Sequence, residues 1–188
     1  MKNDEIATIR AELKTRPEWM RTAFEIAIHQ GCRLSETSLP MEMVELNRMT
    51  ITFSAKGRGG GEKHVFTTKL HPALVPLLAK LKKSGARVTC NLPRMAAKEF
   101  HFFFKEIGLP HLCFHCTRVT VATRMARAGV PISEAMAFVG HASETIHRIY
   151  QRLAAADLSS AVAAVSYGDG ETQQNSGAAQ ASRERDAA

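Results

Sequence analysis

The sequence predicts a mainly helical α+β fold with a small antiparallel β-sheet. Three observations point to it. Apolar residues recur three and four positions apart over most of the chain, the spacing of amphipathic helices. One stretch changes period: MTITFSA (49–55) and HVFTTKL (64–70) are rich in β-branched and aromatic residues and flank a glycine-rich KGRGGGEK, which reads as a hairpin. Finally, 188 residues of which 45% are hydrophobic suffice for one ordinary core without a metal or disulfide to staple it.

In chain order, Ile6, Ile9 and Leu13 share one face of a helix over 4–14. Pro17 suits the first turn of a second helix that carries Trp19, Ala23, Phe24, Ala27 and Ile28 on one side, with Gly31 as its C-terminal stop. Ser35 is placed to cap a short helix through SETSLPMEMVEL, interrupted by Pro40. Two antiparallel strands follow, with room for a third. Leu74, Leu77, Leu78 and Leu81 then mark a helix ending in Lys80, Lys82 and Lys83, and a turn follows at Gly85. A helix over 93–107 turns Phe100, Phe103 and Phe104 inward and stops at Gly108. Two shorter helices occupy 117–128 and 132–139, separated by Gly-Val-Pro. Ser143 can cap a last helix with Tyr150 on its third turn, and Leu158, Val162 and Val165 form a further apolar stripe. From 168 to 188 almost nothing is available to bury. The expectation is one domain over 1–167 and a disordered tail.

Composition narrows the function. No uncharged apolar run approaches the roughly 18 residues of a membrane span, and MKNDEIATIR carries acids where an export signal would be apolar. The expectation is a soluble cytoplasmic protein with no membrane partner. Cys32, Cys90, Cys113 and Cys116 lack a secretory context and read as reduced thiols. A net charge of +7 favours a polyanionic partner. Lys80, Lys82 and Lys83, and Arg124 with Arg127, are mainly solvated faces that can also touch phosphates. HLCFHC sets a C-x-x-C beside His111 and His115, but Cys32 and Cys90 form no second paired half-site, so zinc is a weak reading.

Six residues form a chemical inventory: Arg33, Lys56, His115, Arg118, His141 and Tyr150. Each has a plain alternative. Arg33 can be a charge at a helix end, Lys56 a solvated loop lysine with Lys63 as rival, and His115 with Arg118 a helix-start pair. His141 can be a half-buried histidine. Tyr150 can be a core tyrosine beside Ile146, Ile149 and Leu153. Together they suit phosphodiester transfer through a covalent intermediate. A tyrosine with its pKa near 10 attacks at neutral pH only if the phosphate is strongly polarised and its own proton has an acceptor. Two guanidinium forks bind the non-bridging oxygens, and histidines of near-neutral pKa move protons or donate hydrogen bonds. Neither a P-loop nor an acidic metal cluster is present in the sequence.

The order and spacing of these residues resemble the catalytic domain of the tyrosine recombinases, the phage integrase family. GCRLSE is similar to that family's first arginine box, AKG in the hairpin loop to the position of its catalytic lysine, and HCTRVTVATRMARAG to its H-x-x-R box. VGHASETIHRIY resembles its Gly-His box, with the nucleophilic tyrosine nine residues after the histidine, and 26 residues separate His115 from His141, as is typical there. The resemblance spans about residues 17–160. Thr117 and Cys32 stand where leucine is usual, neighbours of the active-site residues and not members of them.

The resemblance implies a DNA breaking-rejoining fold and a site-specific recombinase that cuts through Tyr150 and needs no metal, ATP or other cofactor. Its partners would be double-stranded DNA and further copies of itself, as a tetramer. Glu36 would order Arg33 or cap its helix. The family's N-terminal DNA-binding domain is not expected in the 16 residues before the matching region. Two other readings stay open at this point: a type IB topoisomerase-like relaxing activity, and a truncated DNA-binding regulator without catalysis.

Overall fold

Pro17 and Gly31 bracket the helix around which the rest of the molecule is built. A computed structural model of the chain describes residues 1–55 and 64–140, all within a unit spanning Met1–Ala154. Helix α1 (Asn3–Glu12) runs into a 3-10 turn at Leu13–Thr15. Helix α2 (Glu18–Gln30) starts after Pro17 and ends at Gly31, whose φ of +64° is the left-handed conformation that only glycine adopts without penalty. Met20, Ala23, Phe24, Ile26, Ala27 and Ile28 are all buried, which makes α2 a central helix, not a surface one. At about 1.5–3 kcal/mol for each large apolar side chain, this burial outweighs any intrinsic helix preference.

The helix expected over SETSLPMEMVEL is not formed. The chain makes a 3-10 turn at Leu34–Thr37, a second at Met41–Met43 and then strand β1 (Val44–Glu45). Pro40 has no N–H to give a helix and biases Leu39 toward extended backbone. That backbone finds partners far along the chain instead. The Leu39 N–H donates to Thr89 Oγ1 at 3.1 Å, the Thr89 N–H donates to the Leu39 carbonyl at 2.9 Å, and Pro40 bridges to Val88. Nor does Ser35 act as cap: Arg33 occupies that position, with Glu36 reaching back to its N–H.

Strands β2 (Thr50–Ala55) and β3 (His64–Lys69) pair antiparallel with Phe53 opposite Phe66, and β1 adds the third strand through Val44 opposite Ile51. The order is β1-β2-β3. Ile51 and Phe53 face the core, while the hydroxyls of Thr52 and Thr67 meet at 2.8 Å on the other side. Buried Gln30 ties this sheet to α2: its amide donates to the Lys69 carbonyl at 3.0 Å and accepts from the His71 N–H at 2.7 Å.

Helices α3 (Val75–Lys83), α4 (Ala96–Glu106), α5 (Cys116–Arg127) and α6 (Ile132–Val139) lie close to their expected positions. Phe100 is the aromatic hub of the core, 4.5 Å from Phe114, 5.6 Å from Trp19 and 6.0 Å from Phe104 between ring centroids. Phe102 points outward at 54% exposure, as its helical position requires. The helix expected to carry Tyr150 and the tail over 168–188 lie outside the described residues.

Two glycines are positions where the fold leaves no room for a side chain. A Cβ at Gly31 would lie 2.8 Å from Val139 Cγ1 and 3.1 Å from Val121 Cγ1, so α5 and α6 close directly on the end of α2. A Cβ at Gly140, which ends α6 at φ +66°, would enter the ring of Phe66 on β3. Gly31→Ala combines left-handed strain with overpacking, each worth about 1–3 kcal/mol. Urea denaturation is expected to show a loss of about 2–4 kcal/mol, against less than about 0.5 kcal/mol for a substitution at an exposed position of α3.

Candidate active site

Three of the expected residues, Arg33, His115 and Arg118, converge where the end of α2 meets the start of α5. Arg118 lies in the first turn of α5 and is 2% exposed. Its Nη1 donates to the Gly31 carbonyl at 2.7 Å, a bond to the last turn of α2 across 87 residues of sequence. A cation is well placed there, because the unpaired carbonyls at a helix C-terminus carry partial negative charge. The same glycine therefore ends α2, admits α5 and α6 by having no side chain, and holds Arg118.

Two residues on, Arg33 is supported differently. Glu36, buried with 3% of its side chain exposed, takes the Arg33 backbone N–H on Oε2 at 2.7 Å and Nη1 on Oε1 at 2.9 Å. One carboxylate so fixes both the start of the 3-10 turn and the direction of the guanidinium. Half of the Arg33 side chain remains exposed, leaving its other donors toward solvent. Between the two arginines, Cys32 is fully buried, and burial first, then the nearby Glu36 charge, pushes its thiol far up and keeps it neutral.

His115 stands at the N-terminal boundary of α5 with its residue surface exposed. Partial desolvation, then the Arg118 and Arg33 charges, lowers its pKa below the ordinary 6.5. The ring is therefore neutral at pH 7 and able to accept a proton, and both guanidiniums are close enough for their charge to be felt there. An anion bound among the three groups would relieve that repulsion. Glu36 pairs with Arg33, Arg118 stands close by, and two guanidinium forks at one junction are suited to a phosphate.

Lys56, His141 and Tyr150 lie outside the described residues, which reach Ala55 at the end of β2 and Gly140 at the end of α6. The role of the Gly31 carbonyl escaped sequence reasoning, which read Gly31 only as a helix stop. Nothing local marks it, since the partner is remote in sequence. The C-x-x-C is not drawn into a metal site: His111 turns to Glu5 at 2.8 Å, and among the described residues no group of three or more His, Cys, Asp or Glu is arranged to hold a metal ion. Likewise, no helix among the described residues is long and apolar enough to cross a membrane.

A helical domain with a three-stranded antiparallel sheet and this arginine-lined junction has the fold of a tyrosine recombinase catalytic domain. The chain belongs to the phage integrase family, whose sequence model matches residues 1–157 and so takes in α1 as well as the region from 17 onward. Similar solved structures include the XerH site-specific recombinase bound to palindromic difH substrate in a post-cleavage complex, 19% identical with a TM-score of 0.64, over 87% of this chain and 52% of that one. The XerA recombinase is 18% identical with a TM-score of 0.66, over 87% and 62%. The catalytic domain of bacteriophage HP1 integrase is 20% identical with a TM-score of 0.59, over 87% and 92%. The chain thus spans about half to three-fifths of the two recombinases and nearly all of the isolated catalytic domain. No curated protein matches it.

The electrostatics of the junction give a direct check. In an NMR titration the His115 imidazole should titrate below 6.5, and Arg33→Ala, by removing one of the charges that oppose protonation, should move its midpoint upward. Because the folded value lies below the unfolded one, acidification through the ordinary range protonates the unfolded chain first, so this group weakens folding as pH falls.

Proposed function

We propose that this chain is the catalytic part, over residues 1–167, of a site-specific DNA recombinase that cuts and rejoins strands through a 3′-phosphotyrosyl intermediate. The supporting observation is the meeting of Arg33, Arg118 and His115 at one junction. Membership of the phage integrase family, and structural neighbours whose complexes contain difH DNA, support double-stranded DNA as the partner.

In this reading the Tyr150 phenolic oxygen attacks the phosphorus of a backbone phosphate. Arg33 and Arg118 bind the non-bridging oxygens, whose charge grows as the phosphorus becomes five-coordinate. Planar forks of donors are suited to this, and a lysine ammonium is not an equivalent replacement. His115, neutral at pH 7, accepts the tyrosine proton or donates to a phosphate oxygen, and His141 adds a hydrogen bond to the same oxygens. The bond to the 5′ oxygen breaks, and Lys56 gives that oxygen its proton. The phosphotyrosyl ester keeps the energy of the broken diester, so a 5′ hydroxyl from the same or another strand can reverse the steps without ATP. The arginines supply charge stabilisation that a divalent cation provides in other phosphoryl-transfer sites. Exchange between two sites calls for four copies of the chain, one per cleaved strand.

A nicked suicide substrate, from which the short cleaved fragment diffuses away, should trap a covalent protein–DNA adduct. Tyr150→Phe should abolish it, and Arg33→Lys, which keeps the charge and loses the fork, should slow it by about 10²-fold or more. Wild-type protein that binds DNA and never forms the adduct would refute the catalytic reading in favour of a binding-only one.

A further inference from the structure

The end of α2 meets the root of the hairpin through a ring contact as well as through Gln30. One residue earlier on α2, the His29 ring stacks on the ring of His71, with centroids 4.5 Å apart and 27° between the planes. His71 lies two residues beyond β3 and is the N-cap of the 3-10 turn Pro72–Leu74, where its Nδ1 accepts the Ala73 N–H at 3.2 Å. Its own N–H goes to Gln30 at 2.7 Å. Ring, cap and backbone bond therefore belong to one contact. Leu70 beside them is 2% exposed and donates its N–H to the Met49 carbonyl at 2.8 Å.

Both imidazoles act as acceptors here. Arg10 of α1 lies with Nη2 3.1 Å from His29 Nε2, and a guanidinium only donates, so that nitrogen carries no proton. The His71 Nδ1 that takes the Ala73 N–H carries none either. A protonated imidazole offers two donors and no acceptor, and the two rings meet that change in different surroundings. His29, with 20% of its side chain exposed, has Glu25 Oε2 3.4 Å from the same Nε2, an acceptor ready for a proton placed there. Glu25 is charged throughout: burial raises its pKa, but hydrogen bonds from His29 and Arg10 bring it down to about 2. Among the described residues, the histidines with a carboxylate in ion-pair reach are His29 and His111, not His71. Desolvation first, then the His29 charge, lowers the His71 pKa below its ordinary value. The residue is exposed, so its ring can swing into water once charged.

We propose that the His29–His71 stack is an acid-sensitive clasp: it seats the root of the hairpin on α2 while His71 is neutral, and protonation of His71 releases that ring from His29 and from its cap. Arg10 from α1 and Glu25 from α2 both face His29, and the titratable group facing His71 is His29 itself. A proton on each ring sets two cations face to face, which the stack cannot hold without repulsion. Released His71 titrates near the ordinary 6.5 and stacked His71 lower, so acid favours the released form. One pH unit below 6.5, a ring that takes its proton only when released shifts the balance toward release by about tenfold.

NMR on the whole chain between pH 8 and pH 5 tests the clasp. The His71 ring should titrate below 6.5, and His29→Gln should move its midpoint upward. Through-space contacts between the two rings, present at pH 7.5, should be lost once His71 is protonated. Protection of the His71 amide from hydrogen exchange should fall by about tenfold by pH 5.5. In His71→Asn the new side chain can still cap the turn but does not titrate, so the amide at that position should keep its protection across the range. A His71 midpoint at or above 6.5, ring contacts that survive protonation, or an Asn variant that loses the same protection in acid each overturns the proposal. No measurement here involves DNA or Tyr150, so the catalytic reading can fail without altering the result.

Discussion

The bond from Arg118 to the Gly31 carbonyl is the interaction on which the site rests. It joins the start of one buried helix to the end of another, and a hydrogen bond to a charged donor in such surroundings is worth about 1.5–3 kcal/mol. Its geometry is possible because residue 31 is a glycine: the left-handed turn directs the carbonyl toward α5, and the missing side chain lets Val121 and Val139 approach. Buried charge is ordinarily costly. Here the backbone dipole at the end of α2 offsets part of that cost, through the Gly31 carbonyl.

The two arginines therefore illustrate two ways of holding a cation. Arg33 is directed by an ion pair with Glu36 that also shapes its own backbone, and it keeps half its surface in water. Arg118 is directed by a helix end and is almost wholly enclosed. One is suited to meeting a ligand from solvent and the other to stabilising charge deep in the pocket. Partial desolvation first, then the fields of Arg118 and Arg33, favours the neutral form of His115.

Much of this was legible in the sequence because it is written in local periods. Leucine and phenylalanine spacing placed α3 and α4, the β-branched run placed β2 and β3, and glycines marked the ends of α2 and α4. The failure over 35–46 has an equally definite cause. Ser35 and Pro40 offer contradictory local signals, and the conflict is resolved by Thr89 and Cys90, whose hydroxyl and carbonyl stand about fifty residues away and cannot be inferred from any window. The site divides the same way. Residue types and spacings named Arg33, His115 and Arg118, and the family match covers 1–157, but the part played by the Gly31 carbonyl is a tertiary fact without a sequence mark. The expectations for Lys56, His141 and Tyr150 fall outside the described residues.

Gln30 clasps the root of the hairpin through main-chain groups of Lys69 and His71, not through their side chains. Docking of this kind is blind to the identity of the residues docked. The hairpin can thus be rewritten, in loop length or in the chemistry of its outer face, while its seat on the helical body stays the same. A scaffold with such a socket can be fitted with hairpins of differing reach without retooling the machinery behind them.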